Sequence, residues 1–465
     1  MSEHSPRQGL ISVEQLRIEV DAGTIDTVLI VLPDMQGRLQ GKRLTGRFFL
    51  DEVVEHDTEG CNYLLAVDVE MNTVDGYAMS SWESGYGDFV MRPDLSTLRR
   101  VPWHEGTVLL LCDLLDVEGV PVVASPRGIL RAQLDRLQER GWRAMVGTEL
   151  EFIVFRDSFE DAFSRKYQDL VPANQYNVDY SILGTSRVEP LLRRIRNGME
   201  GAGMRVESAK GECNLGQHEI AFLYDEALVT CDNHSIYKTG AKEIAAQEDM
   251  SLTFMAKYNE REGNSCHIHL SLREMDGGAV FAGDGHEDQQ SDRHNFSSVF
   301  EHFLAGQLYA MRELTLFYAP NINSYKRYVD GSFAPTAIAW GRDNRTCALR
   351  IVGHSPSSLR LENRVPGADT NPYLSVAAMI AAGLYGIEHE LELPPAFTGN
   401  AYVADLPRLP STLRGALELW EKSELALSAF GSEVVAHYAN NARVELAAFE
   451  RSVTDWERVR GFERL

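Results

Sequence analysis

Apolar residues crowd into two short runs near the start of the chain, 25–32 and 107–115, both rich in Ile, Val and Leu. Runs of that length and composition predict strands, and residues 33–41 read as a hairpin region after the first. The first hundred or so residues therefore read as strands and short turns. Ser125-Pro126 then opens a helix predicted to run to Arg140, with Gly141 as its stop. Further on, strands alternate with long helices predicted at 190–201, 234–248, 296–318, 372–391 and 412–430. The longest apolar stretch, 374–387, is rich in Ala and too short to cross a bilayer. Asn371 as cap and Pro372 at the first helical position mark it as the start of a buried helix. The Gly- and Asp-rich stretch 276–293 reads as a mobile surface loop. The change of pattern near 117–125 divides the chain into units of 1–120 and 121–465.

Composition narrows the class of protein. The 465 residues leave room for two or three domains with sizeable cores. A hydrophobic content of 44% and a charged content of 24% are those of a soluble globular protein. The formal net charge of -23 argues against nucleic acid or an anionic membrane as partner. Any phosphate ligand must then be held by local arginines and metals against an unfavourable overall field. The six cysteines (61, 112, 213, 231, 266, 347) show no CxxC spacing, so reduced thiols in a cytoplasm are expected. Residues 1–8 are polar and carry no signal-like apolar core. There is no internal repeat, and neither a GxGxxG nor a Walker-type loop appears.

Candidate chemistry lies in metal-capable side chains spread over more than two hundred residues. Glu149 and Glu151 share a face if their segment is a strand, and His267 and His269 repeat that spacing. Glu212 and Glu219 flank the turn-like Asn214-Leu215-Gly216 and can converge across a hairpin. Glu362 sits among Arg350, Arg360 and Arg364. Taken singly, a Glu-x-Glu reads as a solvated strand edge and a His-x-His as satisfied buried histidines. Taken together they predict an oxygen-rich set with an imidazole, which suits Mg²⁺ or Mn²⁺ better than zinc. The neighbouring guanidinium groups suit phosphate and carboxylate ligands.

These residues fall in motifs that resemble the glutamine synthetase family over essentially the whole chain. They are Asp75-Gly76 with Trp82 beyond it, Gly147-Thr148-Glu149-Leu150-Glu151-Phe152, Gly216-Gln217-His218-Glu219-Ile220, His267-Ile268-His269-Leu270-Ser271-Leu272, Asn323-Ser324-Tyr325-Lys326-Arg327, Asn344-Arg345 and Arg364 followed by Asn371-Pro372-Tyr373. The resemblance implies an α+β fold, with a small N-terminal β-grasp domain ahead of a large catalytic domain built on a curved antiparallel sheet with helices. It also implies a dodecamer of two stacked hexameric rings with active sites shared between neighbouring subunits. The reaction it implies uses ATP and two or three Mg²⁺ or Mn²⁺ ions to join glutamate to an amine. By resemblance, Glu151, Glu212 and Glu219 hold the first metal, and Glu149, His267 and Glu362 the second. Glu207, His269, Ser271 and Arg360 resemble nucleotide-contacting positions, with Arg345 and Arg350 near the transferring phosphate. Gly263, Arg327 and Arg364 resemble glutamate-holding positions. Asp75, reached from the neighbouring subunit, resembles the carboxylate that deprotonates the amine.

One departure points to the substrate. Ammonia-using members carry a flap glutamate six residues after the Arg of the Tyr-Lys-Arg motif, where this chain has Phe333. A phenyl ring neither holds ammonium by charge nor takes its proton, although it can also serve simply to pack the flap. Similar losses occur in relatives that join glutamate to organic amines, so ammonia should be a poor substrate. The stretch from Asp75 to Trp82 departs from the family pattern as well. A small amino alcohol such as ethanolamine is the expected amine, with Tyr77, Ser80 or Ser332 as partner for its hydroxyl. A polyamine would instead want several acids at the entrance, for which Asp68, Glu70, Asp75, Glu83 and Asp330 are candidates. Ordinary glutamine synthesis and a catalytically inactive ring protein are the remaining alternatives. Cys213 and Cys266 read as small buried thiols rather than a redox switch. Tyr402 lies near a position adenylylated in some relatives, but the Val403-Ala404 insertion predicts no such modification here.

Overall fold

The computed structural model of the chain describes residues 9–283 and 292–465. Among the described residues, fifteen strands form two sheets. The first holds β1 (Thr27–Pro33), β2 (Leu39–Thr45), β3 (Thr58–Cys61), β4 (Asp88–Pro93), β5 (Arg99–Arg100) and β6 (Thr107–Leu115), in the order β2-β1-β6-β4-β3 with β5 also on β6. Its central β1–β6 pair is parallel and its other pairs are antiparallel. Both faces of this sheet are covered, which is why its apolar runs are continuous rather than alternating. Val28, Ile30 and Leu32 face a cluster containing Leu16, Val20 and Phe49. Val31, Leu109 and Leu111 face the core shared with the remainder of the chain. The expected strands at 25–32 and 107–115 are thus present. The helix Val13–Asp21 was not expected, although Leu16 and Val20 give it an apolar stripe and Ser12 caps it by accepting from the Gln15 N–H.

The second sheet carries the acidic motifs. It comprises β7 (Trp142–Phe155), β8 (Val206–Gly211), β9 (Gln217–Phe222), β10 (Asp225–Glu226), β11 (Ser251–Thr253), β12 (Cys266–Glu274), β13 (Trp340–Arg342), β14 (Leu349–Val352) and β15 (Arg360–Asn363). The order is β13-β14-β15-β12-β7-β9-β8, with β10 and β11 also on β7. Among the described residues of this sheet, the β13–β14 pair alone is parallel. Helices Pro126–Gln138, Ala227–Gln247 and Pro372–Glu388 pack against one another and the sheets.

Several helix ends differ from the sequence pattern for identifiable reasons. The helix expected at 234–248 starts at Ala227, because Glu226 ends the short β10 and leads directly into it. The pattern at 412–430 is two helices, Leu413–Trp420 and Glu424–Arg451, since Ser423 caps a new helix by accepting from the Ala426 N–H. Within the second, Gly431 has φ 83 and ψ 161 and breaks the helical path. The helix at 296–318 gives way after Ala310 to a turn and a short helix, Thr315–Tyr318. Asn371 and Pro372 open Pro372–Glu388 as expected, and nearly every side chain of that helix is buried. Of the loop expected at 276–293, residues 284–291 lie outside the described residues, as do residues 1–8. Among the described residues no helix is long and apolar enough to cross a membrane.

Candidate active site

Strand register gathers the acidic motifs on one face of the second sheet. His267 lies opposite Glu149, Glu151 opposite Glu219, and Glu362 opposite both His269 and Arg350. Because side chains alternate, residues 149 and 151, 267 and 269, and 360, 362 and 364 are matched in facing. Glu212 follows the end of β8, where its N–H donates to the Gln217 carbonyl and closes the β8–β9 hairpin. The hairpin needs Gly216, whose φ is 73. A Cβ there would lie 2.5 Å from the Val154 carbonyl oxygen.

Two triads result. Donor atoms of Glu151, Glu212 and Glu219 lie within 4.8 Å of one another, and so do those of Glu149, His267 and Glu362. Both triads line one cavity of about 390 Å³, together with Lys210, Gly263, Ser332, Phe333, Arg345, Arg350 and Arg364. Gly263 belongs there because a Cβ would strike the Ala256 carbonyl oxygen at 2.3 Å.

The electrostatics of the triads differ. Burial would raise Glu149, but its bonds to His267 Nδ1 (3.2 Å) and His269 Nε2 (2.9 Å) hold it well below the usual carboxylate range. Burial also opposes ionisation of Glu362, yet His267 and Arg364 hold it low. Arg364 donates to Glu362 at 2.5 Å and Arg350 at 2.9 Å. Burial lowers His267 to about 4, so its imidazole is neutral and able to act as a ligand. In the first triad, burial and the charge of Glu212 push Glu151 up. Glu219 rises to about 9 through burial, opposed by Lys210 and reinforced by Glu149, Glu151 and Glu212. Two buried carboxylates and a half-buried one that resist ionising together are a poor arrangement without a cation, and the all-oxygen donor set fits a hard divalent ion. The second triad adds one neutral imidazole and fits the same class of ion.

A pH signature follows. Glu219 ionises near 4.5 when unfolded and near 9 when folded, so the folded state binds more protons between those values. Metal-free protein should lose stability as pH rises through that window, by at most about 1.4 kcal/mol per pH unit for this group. Glu219→Gln should flatten the slope, and saturating Mn²⁺ should abolish it. Thermal scans in EDTA from about pH 5 to about pH 9 measure both.

The remaining expected positions fall in three places. His269 and Arg360 adjoin the second triad, Arg360 donating to His269 Nδ1 at 3.2 Å, and Ser271 lies two residues further along β12. Glu207 is exposed and is the extra residue of a bulge between Val206 and Ser208 on the edge strand β8, a device that redirects a side chain. Arg327 is buried behind the cavity wall, its fork donating to the carbonyls of Arg364 and Val365 and to Ser265 Oγ. It anchors the wall rather than lining it. Phe333 is exposed at the mouth with φ 58, and its carbonyl accepts from Arg364. Asp75 does not line this cavity. It is exposed on a loop held to the helix Glu424–Arg451, where Asn440 donates to its carbonyl at 3.0 Å. Of the three hydroxyls considered for the amine, only Ser332 lines the cavity. Ser80 is buried and donates to Asn62, and Tyr77 is buried. Cys266 is fully buried and Cys213 half-buried; burial raises both thiols. The Tyr402 side chain is buried.

Lys210, Asp179, Tyr180 and Glu262 line the cavity and were missed by sequence reasoning. Register would have found Lys210, which lies opposite Glu219. Asp179 and Tyr180 arrive from a loop with no patterned signal.

Residues 123–460 match the glutamine synthetase catalytic domain. The chain belongs to the glutamine synthetase family. It is 68% identical over 455 residues, 98% of its length and 96% of the other's, to γ-glutamylethanolamide synthetase GlnA4 of Streptomyces coelicolor. A glutamate–isopropylamine ligase of a Pseudomonas species is 37% identical across 99% of both chains. The solved ADP complex of GmaS superposes with a TM-score of 0.83 at 27% identity, covering 97% of this chain and 99% of that one.

Proposed function

We propose that this chain is an ATP-dependent ligase that joins the γ-carboxylate of glutamate to a small organic primary amine, ethanolamine, through γ-glutamyl phosphate. One observation carries the reading: 68% identity along nearly the whole chain to a γ-glutamylethanolamide synthetase. Phe333 at the cavity mouth agrees with it, because the flap offers an incoming ammonium no acid there.

A γ-carboxylate is a poor acyl donor, since amide formation would have to expel oxide. Phosphoryl transfer from ATP gives it a stable leaving group. Two or three Mg²⁺ or Mn²⁺ ions, held by the two triads, would neutralise phosphate charge. Arg345 and Arg350 meet the transferring phosphoryl oxygens from the cavity wall. Arg364 and Gly263 hold glutamate, and Arg327 fixes the main chain at 364–365 from behind. Glu207, His269, Ser271 and Arg360 face the nucleotide. Asp75, reaching in from a second copy of the chain, takes the amine proton before attack.

Sharing of the site is supported by the position of Asp75 away from its own cavity. Trp82 is 73% exposed near Asp75, and Ile182 and Leu183, 84% and 80% exposed, follow the cavity residue Tyr180. Such surface is expected to be covered in a ring assembly, two stacked hexamers by resemblance. Isolated monomers should be inactive, as activity across size-exclusion fractions with light scattering will report. The mixed first sheet supports reading residues 1–120 as the β-grasp domain and 121–465 as the catalytic one. Free thiols and an acidic surface support a cytoplasmic location.

The decisive experiment measures phosphate release with ATP and glutamate across ammonium, ethanolamine, putrescine, spermidine and short alkylamines. Ethanolamine should lead, with ammonium lower by about 10²-fold or more in kcat/KM, the scale of a missing proton acceptor. Phe333→Glu should shift preference towards ammonium. If ammonium led the wild-type panel, the reading of Phe333 would be wrong.

A further inference from the structure

None of the steps above uses Lys210, although it lies inside the first triad. Its strand position puts it directly opposite Glu219 on β9. Its ammonium is hydrogen-bonded to Glu212 and lies 3.8 Å from Glu219 Oε1. The side chain is mostly enclosed and passes over the Tyr180 ring, 4.9 Å from its centroid. Neighbouring side chains across a β-ladder have Cβ atoms about 5 Å apart, so the backbone itself keeps this lysine within reach of the triad. A strand-held cation is thus seated on two of the three carboxylates assigned to the first metal.

We infer that Lys210 is a built-in rival of the first divalent cation, bonded to Glu212 and Glu219 until that cation displaces it. The ammonium occupies carboxylate oxygens that one divalent ion would otherwise take. The entering ion must take Glu212 from Lys210, and the lysine remains nearby, over the Tyr180 ring. The consequence is a first site with weakened affinity in the absence of substrates. Lys210 acts through the carboxylates and is a positioning residue. Lysine is suited to this role because its charge is compact and its stem flexible, so it can let go without moving the strand.

The inference rests on the assignment of Glu151, Glu212 and Glu219 to a cation, and the experiment separates the two. Mn²⁺ is titrated into nucleotide-free protein and the free-ion EPR signal is followed. The binding component lost in Glu219→Gln reports the first site. In Lys210→Met that component should tighten at least about tenfold, because removing a unit charge about 4 Å away relieves a large repulsion. Lys210→Arg should keep the weaker, wild-type affinity. First-site affinity that is unchanged or weaker in a cooperatively melting Lys210→Met protein would overturn the proposal. Lys210→Gln answers the same question should the methionine variant not fold. A Glu219→Gln protein that binds the full wild-type complement of Mn²⁺ would instead overturn the metal assignment itself.

Discussion

Glu151→Ala and Glu219→Ala should each reduce phosphate release by at least about 10³-fold while leaving the fold intact. The two residues face each other across β7 and β9, and with Glu212 they form the whole of the first triad. Losing one leaves two oxygen ligands for an ion that needs about six, most of the remainder being water and phosphate. Phosphoryl transfer depends on charge neutralisation more than on covalent chemistry by the protein, so the loss should fall on kcat with every amine alike. Stability should move the other way in metal-free protein, since each substitution removes a carboxylate that its neighbours repel. Initial rates with saturating ATP, glutamate and ethanolamine, beside circular dichroism of the same samples, check both effects. EDTA-treated wild type that retained full ATP turnover would remove the basis of this expectation.

Arg127→Met should be the most damaging single change away from the cavity. Arg127 is 1% exposed, and its guanidinium donates to Asp232 (3.1 and 2.9 Å), Asp94 (2.7 Å) and Asp113 (2.5 Å). Asp113 belongs to β6 and Asp94 follows β4, while Asp232 lies on the helix Ala227–Gln247. One side chain therefore fastens the first sheet to the large core. Tyr373 also donates to Asp232, at 2.6 Å, but it brings no charge. Removing the arginine leaves Asp232 buried without a cation, which costs about 3–5 kcal/mol for a broken buried pair. Arg131 still reaches Asp94 and Asp113 and limits the damage at those two. The pH dependence has a definite sign. Burial would raise Asp94, but Ser96, Arg127 and Arg131 hold it below the usual range. Its stabilising effect is present above the ordinary carboxylate range and disappears on acidification, so the gap between variant and wild type should narrow as pH falls. Urea titrations at neutral and acidic pH measure it.

The two triads were the most legible part of the candidate site, and periodicity explains why. Glu149 with Glu151 and His267 with His269 sit two apart on strands, so local spacing already fixed their facing. Which strands would adjoin is a long-range matter, and the pairing of His267 with Glu149 and of Glu151 with Glu219 came only from the sheet. Motif resemblance supplied what spacing alone left open. Lys210 was overlooked because a lone lysine on an edge strand has no pattern until its partner strand is known. Arg327 stands in a recognisable motif, yet the sequence gives no hint that its fork is spent on main-chain carbonyls behind the wall. Among the helices, internal periodicity survived better than the ends. Ser423 interrupts an otherwise continuous apolar pattern by a side-chain cap and Gly431 by its backbone conformation.

The triads draw on β7, the β8–β9 hairpin, β9, β12 and β15, so their ligands are separated by up to the span from Glu149 to Glu362. Contacts so distant in sequence are among the slowest to form, because the intervening chain must be ordered before they close. On the ribosome, the second triad stays incomplete until Glu362 has emerged, after more than three quarters of the polypeptide has been made. An ion in the second triad therefore cannot template the early stages of folding. That ion acts as a late lock, selecting chains whose strands have already found the correct neighbours. Nascent chains stalled between residues 222 and 362 should carry the first triad but lack the second.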